Sequence, residues 1–244
     1  MGCCEGANVR DGVPKKPFHE LSEEEQKKIL EELKEQDKNL VREDDEQDED
    51  PKLYEMYNWD ELMAKLPIKK TEEDRKKRLE LWNQINEYGN GYVSFKRLDF
   101  QLEKYLKLPK VVRNKGPLKL AFDAASDKYE RYGLKKEDNL IEWMEFRIFL
   151  VYLRQYFEYW VMFEKMDITG DHRINLKEFK LAIPLMGNWG VKIKDSEAEK
   201  VFKSIDKSNG VAISFEEFCS YAITKSLDLE EDDNFDDEEL KNLK

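Results

Sequence analysis

The sequence predicts an all-α fold of four helix–loop–helix units arranged as two pairs, and three observations carry that expectation. Two adjacent apolar residues, a two-residue gap, one apolar residue and then Asp or Asn recur at Leu81-Trp82 to Ile85-Asn86, Met162-Phe163 to Met166-Asp167 and Val201-Phe202 to Ile205-Asp206. Eleven residues beyond each polar position a new amphipathic run opens, at Arg97-Leu98, Glu178-Phe179 and Glu217-Phe218. A β-branched residue holds the eighth place of every interval: Val93, Ile174 and Ile213. Ala121-Phe122 with Ala125, closing at Ile141 and Glu145-Phe146, reads as a fourth copy whose loop, starting at Ser126, is too long for the pattern. Repetition at fixed spacing is the mark of a repeated supersecondary unit.

The elements follow in order. Residues 1–20 lack hydrophobic periodicity and hold Gly2, Gly6, Gly12, Pro14 and Pro17, which predicts a flexible arm. Ser22 with Glu25 has the form of a capping box opening a helix, whose apolar stripe of Ile29, Leu30 and Leu33 is too narrow to fold alone. An acidic run over residues 43–50 follows, and a second one occupies residues 228–239. Together they hold sixteen carboxylates, so the net charge of −12 resides in these flanks and the remaining body is slightly positive. The expected division is therefore residues 1–57 as arm, short helix and acidic run, 58–155 and 156–227 as two paired lobes, and 228–244 as an acidic tail.

Composition excludes several classes. Net acidity disfavours nucleic acid, whose binding needs a Lys/Arg surface. The most apolar stretch, residues 146–163, is interrupted by Arg147, Arg154 and Glu158 and cannot form a membrane span. Cys3, Cys4 and Cys219 form no disulfide framework, which predicts a reducing, intracellular setting. Catalysis is not expected: the histidines are His19, in the arm, and His172, in a loop, with no nucleophile arrangement or phosphate-cradling glycine loop, and no small-molecule substrate is implied.

The repeat spacing is that of the EF-hand, whose twelve-residue loop aims oxygens from positions 1, 3, 5, 7 and 9 and a bidentate Glu at 12 toward a hard cation, Ca2+. The loop at 167–178 offers Asp167, Thr169, Asp171, the Arg173 carbonyl, Asn175 and Glu178, a complete oxygen set. His172 stands at the sixth position, where a positive φ favours Gly, at a cost of roughly 1 kcal/mol. The loop at 206–217 keeps Asp206, Ser208, the Ala212 carbonyl, Ser214 and Glu217, but Gly210 lacks an oxygen and Val211 resists positive φ, so a different path is expected there. Weak calcium binding and a purely structural role stay open for it. The interval at 86–97 ends in Arg97, a cation where the closing carboxylate belongs, and should not hold calcium. Asp127, Glu130, Glu137 and Asp138 in the long loop match no ligand scheme and read as solvated surface.

Met1-Gly2-Cys3-Cys4 is the second informative feature, since Gly2 can accept a myristoyl chain and Cys3 and Cys4 palmitoyl chains, although Gly6 replaces the usual Ser or Thr. Two chains anchor stably where one does not. The aromatic series from Phe146 to Phe163 is expected to be core, with Met186 and Trp189 as candidates for a partner surface or for closing the second lobe.

Particular residues resemble the flagellar calcium-binding proteins (calflagins) of trypanosome-like protists: Asn58-Trp59 leading to Leu66-Pro67, Lys70-Thr71-Glu72 with Arg78-Leu79-Glu80-Leu81, Glu142-Trp143-Met144-Glu145-Phe146-Arg147 closing the oversized loop, and Phe179-Lys180-Leu181-Ala182-Ile183-Pro184. The resemblance implies a four-EF protein of the cilium or flagellum that binds calcium at the third and fourth loops. It also implies attachment to the flagellar membrane through acyl groups on Gly2 and Cys3, with Cys4 a further candidate. Two readings result: a calcium-responsive protein that modulates a membrane or protein partner, and a structural scaffold among axonemal proteins in which calcium is incidental.

Overall fold

The computed structural model describes residues 16, 18–38, 40, 58–108, 116–131 and 140–225. Gly2, Cys3, Cys4 and both acidic runs lie outside them, as do Glu137 and Asp138. The described chain is helical: α1 (Glu23–Lys38), α2 (Trp59–Ala64), α3 (Glu72–Ile85), α4 (Phe95–Leu106), α5 (Pro117–Arg131), α6 (Trp143–Met166), α7 (Leu176–Asn188), α8 (Ala198–Ile205) and α9 (Phe215–Lys225). Four short strands intervene: β1 (Tyr92–Ser94), β2 (Leu140–Glu142), β3 (Ile174–Asn175) and β4 (Ala212–Ile213).

The strands join the four units two by two, in the two pairs that the sequence predicts, and the eighth-position residues meet in each join. β1 runs antiparallel to β2 with Val93 opposite Ile141, and β3 runs antiparallel to β4 with Ile174 opposite Ile213. All four side chains are buried, because alternation in so short a strand sends one residue into the core while its backbone pairs across. Each two-stranded ribbon ties two loops together, giving units α3–α4 with α5–α6 and α6–α7 with α8–α9.

One helix serves both pairs. α6 is 24 residues long; its N-terminal end closes the second unit and its C-terminal end opens the third. The boundary expected near residue 155 falls in the middle of it. Its capping box, in which Glu142 and Glu145 exchange bonds with each other's backbone, satisfies the first-turn donors. Trp82 packs on Phe146 at 5.2 Å, Trp59 on Phe157 at 6.1 Å and Phe215 on Trp160 at 4.9 Å between ring centroids. The apolar residues of α2 through α9 thus form one continuous cluster, and the aromatic series of α6 is core as expected. Met186 is fully buried in it, and Trp189 packs against it as the C-cap of α7.

Two elements differ from expectation. Ser126 and Asp127 are helical, because α5 continues to Arg131 and the long second loop begins later. Part of the expected flexible arm is docked: Phe18–Glu20 forms a 3-10 turn, and Phe18 with Leu33 of α1 buries against Tyr92 and Leu140 of the first ribbon. The Tyr92 hydroxyl donates to the Lys16 carbonyl at 2.8 Å, and the Phe18 N–H donates to Glu142 at 2.9 Å. The thin stripe of α1 is stable because the ribbon supplies the other half of its core.

Candidate metal centre

Three loops share one backbone signature. The fourth and sixth positions take left-handed φ in each: Gly89 and Gly91, Gly170 and His172, Asn209 and Val211. This turn brings the sixth-position N–H back onto the first-position side chain, so Gly91 donates to Asn86 at 3.3 Å, His172 to Asp167 at 2.6 Å and Val211 to Asp206 at 3.2 Å. His172 therefore adopts the conformation a glycine usually supplies, with φ +58°. Val211 does as well, with φ +69°, and the different path expected for the fourth loop is not taken. The β-branched residue is forced into the standard turn because Ile213 and Asp206 anchor both sides of it, and its side chain projects to solvent.

In the third loop the chain folds around two buried carboxylates. Asp167, at the C-cap of α6, accepts from the N–H groups of Gly170 and His172 and from the Thr169 hydroxyl. Glu178, in the first turn of α7, accepts from the Thr169 N–H at 2.9 Å and the Asn175 N–H at 3.0 Å. Asn175 completes a capping box by accepting from Lys177 and Glu178. Asp171 is exposed and accepts from the Arg173 N–H at 2.9 Å. Arg173 leads directly into β3, which presents its carbonyl at the seventh position.

The donor chemistry fits a hard cation. Asp167 and Glu178 are each 3% exposed, and among the described residues neither has a Lys, Arg or His ion-pair partner. Backbone N–H groups and the Thr169 hydroxyl hold this doubled negative charge with no countercharge, and burying charge without compensation is costly. Asp167, Thr169, Asp171, Asn175 and Glu178 with the Arg173 carbonyl supply only oxygens, the set calcium prefers.

The fourth loop repeats the frame with fewer oxygens. Ser208 and Ser214 donate their N–H groups to Glu217 at 2.9 Å, and the Ser208 hydroxyl reaches Asp206 at 3.3 Å. Burial raises the Glu217 carboxyl, but the backbone bonds from Ser214 and Ser208 and their hydroxyls outweigh it and hold the group below the usual carboxylate range. Ala212 lies in β4 opposite Asn175, so the two loops meet at the ribbon. Glu217 also lines a cleft of about 560 Å³ between residues 190–193, α8 and α9, with Val201 and Tyr221 on its walls.

The first loop carries its own cation. Arg97, at the twelfth position and almost fully buried, lies 3.6 Å from Asp37 of α1 and 3.2 Å from Glu87, with its guanidinium over the Tyr88 ring. Ser94 donates to Asp37 at 2.5 Å and the Lys96 ammonium donates to the Asp37 carbonyl at 2.6 Å. The reach of Asp37 to a loop sixty residues on has no signal in sequence spacing. Glu164, which contacts His172, is a second residue that loop-counting passes over, since it stands before the loop begins.

Comparison with known proteins agrees with this geometry. The family model of the FCaBP EF-hand domain matches residues 62–153, and that of an EF-hand domain pair matches residues 159–223. The chain is 35% identical over 176 residues to the flagellar calcium-binding protein TB-24 of Trypanosoma brucei brucei, covering 69% of this chain and 77% of that protein. It is 30% identical over 175 residues to the flagellar calcium-binding protein of Trypanosoma cruzi, covering 71% and 82%.

Proposed function

The chain belongs to the flagellar calcium-binding protein family, and on that premise we propose that it is a calcium-binding EF-hand protein of the flagellum whose third loop is the principal site. The observation that carries this reading is the pair of buried, uncompensated carboxylates Asp167 and Glu178 inside one EF turn. Bound calcium supplies the positive charge that this pair lacks. The role of the protein residues is positional. Glu178 heads α7, so its placement sets the direction of that helix, and Phe179 beside it meets Phe202 of α8 edge-on at 5.7 Å. The Ile174–Ile213 pairing links the third loop to the fourth, which serves as structural partner and weaker site through Asp206, Ser208, Ala212, Ser214 and Glu217.

Binding, not catalysis, is the proposed activity. The output is modulation of a membrane or protein partner, with Gly2, Cys3 and Cys4 as the acylated attachment to the flagellar membrane. Titration of the purified chain with CaCl2 in a calorimeter is expected to show a site that Glu178→Gln weakens at least about tenfold, since the closing carboxylate loses one charged oxygen. Absence of heat at millimolar calcium sinks the reading.

One observation favours the scaffold alternative: Arg97 and Asp37 fix the N-terminal half without any metal. Detergent extraction separates the two. Release with the membrane fraction supports the acylated calcium responder, and retention on axonemes regardless of chelator supports the scaffold.

A further inference from the structure

We propose that Glu164, Asp167 and His172 form a second metal mode of the third loop, a site for a borderline divalent ion such as Zn2+ that is mutually exclusive with calcium. Glu164 and Asp167 are buried, His172 is half-buried, and one ligand atom from each lies within 4.8 Å of the others. His172 Nδ1 stands 3.0 Å from Glu164 Oε1. Zinc bonds of about 2.0–2.2 Å to nitrogen and oxygen put neighbouring tetrahedral ligands about 3.3 Å apart, so sharing one ion widens the His172–Glu164 pair slightly and draws any ligand atoms up to 4.8 Å apart closer together. Three protein ligands leave a fourth position for water.

The residue choice points the same way. What the loop requires of its sixth position is a left-handed backbone and an N–H aimed at Asp167, and glycine supplies both without strain. The imidazole adds something the turn does not need, a nitrogen directed at Glu164. Its ring is held there by stacking on Trp160, with centroids 6.1 Å apart and planes 28° from parallel. Imidazole with carboxylate is a donor set that suits zinc, whereas the calcium mode uses oxygens alone. Both modes need Asp167, and two dications so close repel, which makes them exclusive. The zinc site stands without the calcium reading; only the exclusivity rests on it.

The test uses the full chain with Cys3→Ser and Cys4→Ser, because thiols are competing zinc ligands. Titration with ZnCl2 is expected to show a site that His172→Gly and Glu164→Gln each weaken at least about tenfold, while His172→Gly keeps its calcium binding because glycine suits the turn. Saturating zinc is expected to raise the calcium Kd at least about tenfold in the parent and not in His172→Gly. Glu178→Gln should lose calcium and keep zinc, so failure of the calcium reading stays distinguishable. No zinc binding in the parent, or equal zinc affinity in His172→Gly, overturns the site; a calcium Kd unmoved by saturating zinc overturns the exclusivity.

Discussion

Val211 shows how strongly this loop geometry is imposed. A β-branched residue with positive φ carries on the order of 1–3 kcal/mol of strain, and Val211 has φ +69° with its side chain 79% exposed, so no packing offsets it. Replacement by Gly removes the strain and costs roughly 0.5–1 kcal/mol in chain entropy. Val211→Gly is therefore expected to stabilise the calcium-free chain by about 1 kcal/mol, a rise of about 2–4 °C in Tm by calorimetry for a domain of this size. An unchanged or lower Tm would show that the turn is not strained there. The sequence made the conflict at Val211 visible but not its outcome, because local preference was on one side and the Ile174–Ile213 ribbon on the other. His172 and Glu164 were harder to connect, since only the bend of the loop brings residues eight apart into contact.

At the scale of elements, Arg97 takes over in the first unit the role a metal has in an EF loop, and Asp37 of α1 holds that fixed charge in place. Arg97 is buried against Asp37, so removing the carboxylate leaves the guanidinium with Glu87, the Gln36 carbonyl and the Tyr88 face. Asp37→Ala is expected to cost about 2 kcal/mol, less than a fully stranded buried charge. Hydrogen exchange should then quicken in α1 and the first ribbon while α7 to α9 keep their protection. Equal loss of protection in all helices would contradict a local latch. The helix itself was legible, since Ser22 and Glu25 form the capping box their spacing predicts, with Ser22 N–H donating to Glu25 at 2.9 Å. Its docking was not, because Ile29, Leu30 and Leu33 complete their cluster with Phe18, Tyr92 and Leu140 from distant segments. Val93, Ile141, Ile174 and Ile213, by contrast, announced the two ribbons outright, because each unit repeats one spacing.

For the whole molecule, the shared helix α6 changes what two lobes means. Tyr159, Trp160 and Phe157 sit in a core that runs from α2 to α9 without a break. Calorimetry of the calcium-free chain should therefore show one cooperative unfolding transition, and Phe157→Ala should lower it as a unit by about 3–5 kcal/mol. Two separated transitions would mean that α6 is a linker and not a common core. Such a core makes a charge change at Glu178 felt beyond its own loop, since Phe163 of α6 packs on both Phe215 and Phe218 of α9. Everything functional then depends on whether the buried carboxylates of the third loop hold calcium. The most direct measurement is a calorimetric CaCl2 titration of the purified chain beside Glu178→Gln. A saturable site in the parent, weakened at least about tenfold by the substitution, is the expected result; identical isotherms, or none in either protein, would contradict it.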